Sequence, residues 1–196
     1  MRKLERIKNE NLNNHIPIIM DDTLEKIYEI VGDRKLNRIL EIGTAQGYSS
    51  ICFSKMLNEN GIIDTIERDE NNIAKAKENI QNMNLEQNIN IFEGDAVEIL
   101  PTLNEKYDMV FIDAAKGKYP FFLEQALRLT DVGAIIFADN ILYKGYVLSD
   151  YNKHKQRTAV NNLRKYIKLV QENPNLQTEI LEVGDGLAIS KKVCNS

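Results

Sequence analysis

The sequence predicts a doubly wound α/β domain, a mainly parallel sheet with helices between its strands, closed by an antiparallel hairpin. Three observations predict it. Five short apolar runs alternate with segments whose apolar residues recur at helical spacing, the pattern of βαβ repetition rather than of tandem sequence repeats. Each of those five runs ends in an acidic residue or a glycine-rich turn. The last two β-like runs are separated only by Gly184-Asp-Gly186, and so short a glycine-rich connection favours a hairpin.

The elements follow in order. Residues 1–14 are polar and basic with sparse apolar positions at Leu4, Ile7 and Leu12, enough for a helix that docks weakly or on a partner. Asp22-Thr-Leu-Glu25 reads as an N-cap with an acidic residue three positions on, and Leu24, Ile27, Ile30 and Val31 share one helical face until Gly32. Residues 1–32 thus form an N-terminal helical segment. The first strand spans Arg38 to Ile42, and Gly43 to Gly47 turns into a helix carrying Ile51, Phe53, Met56 and Leu57. A strand over 61–67, a helix over 71–83, a strand over 88–92 and a short helix over 96–100 come next. The fourth strand ends at Ile112, a helix covers 119–129, and the fifth strand covers 132–138. A long loop from Asn140 to His154 precedes a helix over 156–170, and the hairpin strands are 176–183 and 187–192.

A chain of 196 residues with no linker or low-complexity stretch fits one domain, residues 1–196. Its 43% hydrophobic and 28% charged residues are ordinary for a globular protein. No segment approaches a membrane span and the start lacks a signal-peptide apolar core, which leads to the expectation of a cytoplasmic protein without a membrane partner. Cys52 and Cys194 have no metal-ligand spacing. A net charge of −4 gives no global support to a nucleic-acid partner, so only local basic clusters could supply one.

The chemistry concentrates at the strand ends, where ligands bind in open α/β sheets. Met109 to Ile112 is an apolar run closed by Asp113, and Ala134 to Ala138 is closed by Asp139 and Asn140. An Asp after one strand is as often a loop opener or a helix cap. Two such strands side by side and parallel would bring three oxygen ligands to one edge, a set suited to a hard divalent cation such as Mg2+. Gly43 and Gly47 let the backbone approach a ligand closely, although a strand-to-helix turn needs glycine for geometry alone. Glu67, at the end of the second strand, is placed to hold two ribose hydroxyls, which together with the turn implies an adenosine cofactor. Ala45 stands where a nicotinamide dinucleotide fingerprint requires its second glycine.

These residues resemble the class I S-adenosylmethionine-dependent methyltransferases, whose sheet is Rossmann-like and seven-stranded. More narrowly, Glu41-Ile-Gly-Thr-Ala-Gln-Gly-Tyr-Ser49, Asp113-Ala-Ala-Lys116 and Asp139-Asn-Ile-Leu-Tyr-Lys-Gly145 look like the metal-dependent O-methyltransferases of the catechol and caffeoyl-coenzyme A type. Within that group, Ile112-Asp-Ala-Ala-Lys-Gly117, Asp139-Asn-Ile-Leu142 and Gly184-Asp-Gly-Leu-Ala-Ile-Ser-Lys-Lys192 stand in the order seen in the bacterial tRNA 5-hydroxyuridine methyltransferases. The resemblance covers roughly residues 15–192. That family carries an additional N-terminal helical stretch, and this chain is expected to begin part-way through it.

The resemblance implies that Gly43, Gly47 and Ser49 hold the methionine part of S-adenosylmethionine, Glu67 the ribose, and Asp95 with Ala96 the adenine. Ile18 or Ile19 would touch the cofactor from the N-terminal segment, and Glu41 and Asp113 are counted among its contacts. Asp113, Asp139 and Asn140 would bind Mg2+, and Lys116 would be the base, with Asp113 beside it in the catalytic set. By residue type alone Lys116 would be a solvated surface lysine. The resemblance also implies a homodimer.

Three functions follow. The first is methylation of the 5-hydroxyl of 5-hydroxyuridine at the tRNA wobble position, with Lys144, Lys153, Lys155 and Arg157 contacting anticodon-loop phosphates. A solvated basic helix start explains the same cluster, and Tyr143, Tyr146, Tyr151 and His154 beside it add stacking candidates or ordinary packing. The second is a small-molecule catechol-type O-methyltransferase using the same metal and base, since both acceptors present two vicinal oxygens. The third, a cofactor-binding module without catalysis, has no need of Asp113, Lys116, Asp139 and Asn140 together.

Overall fold

A strand buried on both faces of a parallel sheet is an apolar run, and residues 109–112 and 134–138 are buried throughout in this way. The computed structural model describes residues 2–150 and 155–194. Among the described residues the chain forms a seven-stranded mixed sheet with a terminal antiparallel hairpin, as predicted from the sequence. The chain divides into two compact units, Met1–Thr102 and Leu103–Ser196. Among the described residues no helix is long and apolar enough to cross a membrane.

The first unit contains α1 (Arg2–Asn13), α2 (Asp21–Val31), β1 (Leu36–Ile42), α3 (Tyr48–Phe53), β2 (Leu57–Glu67), α4 (Glu70–Asn82), β3 (Ile89–Glu93) and α5 (Ala96–Ile99). β2 pairs in parallel with both β1 and β3. Ile39, Leu40, Ile42 and Ile63 are wholly buried in that ladder, and the stripe of Ile73, Ala76 and Ile80 buries one face of α4. α1 is anchored more firmly than its sparse apolar pattern suggests, with Ile7 only 1% exposed and Lys8 paired to Asp21 at 2.5 Å.

Two local expectations are corrected here. α2 begins at Asp21 with Met20 at its N-cap, so Asp22 lies inside the first turn rather than at the cap position; its carboxylate accepts the amide of Thr23 at 2.7 Å. Asp21 and Asp22 still sit in the first turn, where carboxylates favour the helix dipole. The helix after the glycine turn stops at Phe53, a 3-10 turn covers Ser54–Met56, and Leu57 opens β2 rather than closing a helix. Leu57 pairs with Leu36, and the register then shifts so that Arg38 faces Ile62. The extra residues fold back at Gly61, where a Cβ would lie 2.8 Å from the Leu36 carbonyl oxygen.

The second unit contains β4 (Tyr107–Ile112), α6 (Tyr119–Arg128), β5 (Thr130–Ala138), α7 (Arg157–Glu172), β6 (Leu176–Leu181) and β7 (Leu187–Lys192). β4 and β5 are parallel, and β7 runs antiparallel to both β5 and β6. α7 buries Val160, Leu163, Tyr166 and Val170, one stripe at helical spacing. The hairpin connection is longer than three residues because β6 ends at Leu181, and its tip has a second task. Gly186 accepts the amide of Ile141, Asp185 accepts those of Leu142 and Lys144, and a Cβ on Gly186 would lie 2.4 Å from Leu142. The tip therefore clasps the loop that follows Asn140, and only glycine allows the contact.

Candidate active site

In the first unit the turn after β1 is shaped by backbone that L side chains rarely adopt, with φ of 104° at Gly43, 45° at Ala45 and 83° at Gly47. Gly47 also abuts α4, since a Cβ there would stand 3.4 Å from that of Ala76. Buried Asn79 of α4 donates to the Gln46 carbonyl at 2.9 Å and fixes the turn from below. Glu67 closes it from β2. One carboxylate oxygen accepts the amide of Ala45 at 2.8 Å, and the other accepts those of Arg68 and Asp69 at 2.9 Å. Three backbone donors leave the carboxylate oriented, with accepting capacity remaining on the oxygen that meets Ala45.

Glu41 is fully buried, a costly position for a carboxylate without donors. Ser49, Ser50 and Thr65 supply them, and Thr65 in turn meets Thr44 at 2.6 Å. Glu41 thereby orients Ser49, whose hydroxyl gives its proton to Glu41 and keeps its lone pairs as acceptors. Asp95 caps α5 by accepting the amide of Val97 at 2.8 Å, and its other oxygen lies 3.5 Å from Arg68. Ala96 begins that helix, half-buried. Ile18 is half-buried whereas Ile19 is 3% exposed, so Ile18 has the surface left to offer a ligand.

In the second unit the register decides the geometry. Ile112 pairs with Ala138 on parallel strands, so the next residues, Asp113 and Asp139, emerge as neighbours. The Asp139 amide donates to the Ile112 carbonyl at 3.0 Å and the Asn140 amide to Asp139 Oδ1 at 2.7 Å. Lys116 lies inside this cluster rather than in solvent, its side chain only 15% exposed. Its Nζ donates to Asp113 Oδ1 at 2.7 Å, to Asn140 Oδ1 at 3.0 Å and to the Tyr119 hydroxyl at 2.9 Å. Burial, and then the charge of Asp113, push the Asp139 carboxyl up to about 7.

Among the described residues no group of three or more His, Cys, Asp and Glu could hold a metal ion, so the candidate set is two carboxylates and an amide. That donor set fits a hard cation nonetheless. Asp113 and Asn140 already converge on one positive charge, the Lys116 ammonium, and the raised Asp139 carboxyl marks a cluster short of positive charge.

Tyr119, which sequence reasoning read only as the start of α6, is the side chain of this cluster that it missed. Its position three residues after Lys116, on the same side of a helical turn, was the available signal. Of the basic residues proposed for an acceptor, Lys144, Lys155 and Arg157 are exposed, and Lys153, with Tyr151 and His154, lies outside the described residues. The start of α7 abuts the Lys116 turn, the Thr158 methyl standing 3.9 Å from where Gly117 would carry a Cβ.

A family model described as O-methyltransferase matches residues 1–193. The chain belongs to that O-methyltransferase family. It is 37% identical over 161 residues to a catechol O-methyltransferase of Niastella koreensis, covering 78% of this chain and 72% of the relative. It is 29% identical over 165 residues to a caffeoyl-CoA O-methyltransferase of Populus kitakamiensis, covering 80% and 70%. An O-methyltransferase from Bacillus cereus solved in complex with SAH superposes with a TM-score of 0.85 at 28% identity, over 98% of this chain and 91% of the other. As a member of this family the chain is an enzyme that transfers a methyl group from S-adenosylmethionine to an oxygen acceptor.

Proposed function

We propose that this chain, acting as one catalytic domain with Mg2+, methylates a hydroxyl of a small acceptor bearing two vicinal oxygens. The observation that carries the reading is the convergence of Asp113, Asn140 and Lys116 beside Asp139. Asp113, Asp139 and Asn140 would hold the cation, which supplies a Lewis acid that lowers the pKa of an acceptor hydroxyl. Lys116, as the neutral amine, takes the hydroxyl proton on Nζ. The acceptor oxygen then forms its bond to the methyl carbon while the carbon–sulfur bond breaks, leaving a neutral thioether.

On the cofactor side, Glu67 receives the ribose hydroxyls, Ser49 accepts from the methionine ammonium, and Asp95 with Ala96 flanks the adenine. Glu67→Ala should weaken S-adenosylmethionine binding by roughly 1 to 3 kcal/mol, the scale for leaving buried hydroxyls unpaired. Calorimetry checks this, and unchanged affinity would remove Glu67 from the ribose.

For the acceptor, the catechol and caffeoyl-CoA names of the relatives favour the small molecule over a tRNA wobble uridine. The tRNA reading retains the exposed Lys144, Lys155 and Arg157, and the proposal places no weight on them. A homodimer belongs to the proposal through the family resemblance, with Leu12 and Met20 exposed for a second copy. The deciding experiment offers the enzyme S-adenosylmethionine and Mg2+ with catechol, with resorcinol or with unmodified and hydroxylated tRNA. Methylation of catechol and not of resorcinol supports the vicinal small acceptor, and methylation of hydroxylated tRNA alone transfers the assignment to the wobble base.

A further inference from the structure

We infer that Tyr119 is the positioning residue for Lys116. The inference rests on Lys116 being the proton acceptor proposed above. Lys116 has three acceptors for its three ammonium hydrogens: Asp113 Oδ1, Asn140 Oδ1 and the Tyr119 hydroxyl. Two of them are the oxygens assigned to a divalent cation. With a cation on Asp113 and Asn140, Tyr119 would be the partner that remains of these three, and without it a flexible four-carbon chain beside a positive charge would turn outward.

Tyr119 is built to stay. It is 0% exposed, its ring lies edge-on to Tyr166 with centroids 5.5 Å apart, and Phe122 packs against it at 6.3 Å. Its hydroxyl proton goes to the Asp139 carbonyl at 2.8 Å, with the Ile112 carbonyl at 3.3 Å. This leaves the hydroxyl oxygen to accept from Lys116. The same residue thus ties the amine to the backbone ends of both strands that carry the carboxylates, and the ammonium lies 5.1 Å from the centre of its ring. A tyrosine needed only for packing would use its ring, and phenylalanine would serve as well.

The test is a double-mutant cycle of Tyr119→Phe and Lys116→Met, with catechol as acceptor and thermal unfolding as a control for folding. Tyr119→Phe should lower kcat roughly 10- to 100-fold, a part of the full proton-transfer contribution because the amine itself is retained, while KM for catechol and affinity for S-adenosylmethionine stay within about twofold. In the Lys116→Met background the same change should alter kcat less than about twofold. Full activity of Tyr119→Phe, or an equal loss in both backgrounds, would overturn the inference. Wild-type kcat in Lys116→Met would overturn the proton-acceptor reading and this inference with it. A second measurement is independent of turnover: in brief acetic anhydride labelling with Mg2+ present, followed by mass spectrometry, Lys116 should react several-fold faster in Tyr119→Phe than in wild type. An unchanged labelling rate counts against the inference.

Discussion

Lys116→Met should reduce methyl transfer by roughly 100- to 10,000-fold, the range for a positioned general base, with S-adenosylmethionine binding unaffected. Methionine keeps the length and apolar stem of lysine and removes the group that can take a proton, so the loss isolates that step. The change also withdraws the positive charge that Asp113 and Asn140 share in the structure. Affinity for a divalent cation should therefore rise in the variant even as turnover falls. A loss of turnover accompanied by an equal loss of cofactor affinity would instead mean that Lys116 supports the cofactor site. Stopped turnover with tighter cation binding is the combination expected.

The second large effect concerns Asp139 and pH. In the folded protein its carboxyl holds a proton up to about pH 7, against 3.8 unperturbed, because burial and the Asp113 charge disfavour the ionised form. The folded state thus binds this proton more tightly than the unfolded chain. The resulting stability is fully present below pH 4 and is lost as pH rises through 7. A displacement of this size corresponds to about 4 kcal/mol. Asp139→Asn, which cannot ionise and can still accept the Asn140 amide, should match the wild type near pH 4 and exceed its stability by a few kcal/mol at pH 8. Adding Mg2+ at pH 8 should close that gap by stabilising the wild type alone. Denaturant unfolding across pH 4 to 8 reads both effects, and parallel curves for the two proteins would contradict the burial account.

Much of this site was legible in the sequence because buried parallel strands are apolar and any carboxylate at their ends stands out. Asp113, Asp139 and Asn140 were found that way, and the structure brings them together through the β4–β5 register that places Ile112 against Ala138. Glu67 was singled out by its distance beyond the glycine turn, and the structure sets its carboxylate against the Ala45 amide of that turn. What escaped depends on partners far along the chain. The Tyr119 hydroxyl is anchored by a carbonyl 20 residues away, at Asp139. The clasp of Gly186 on Leu142 joins residues that local spacing cannot connect. The Ser49, Ser50 and Thr65 hydroxyls around Glu41 come from two elements and follow from burial that a sequence does not display. The start of β2 was misread for a different reason: Met56 and Leu57 continue the apolar pattern of α3, and only pairing with Leu36 turns Leu57 into a strand residue.

The cluster at the ends of β4 and β5 is proposed to work with a divalent cation that makes an acceptor hydroxyl reactive. The most direct test of this is methyl transfer to catechol, followed by product mass in three tubes: enzyme with Mg2+, enzyme with excess chelator, and chelated enzyme with Mg2+ restored. Methylated catechol should form in the first, fall to background in the second and return in the third, whereas full turnover in chelator would contradict the claim.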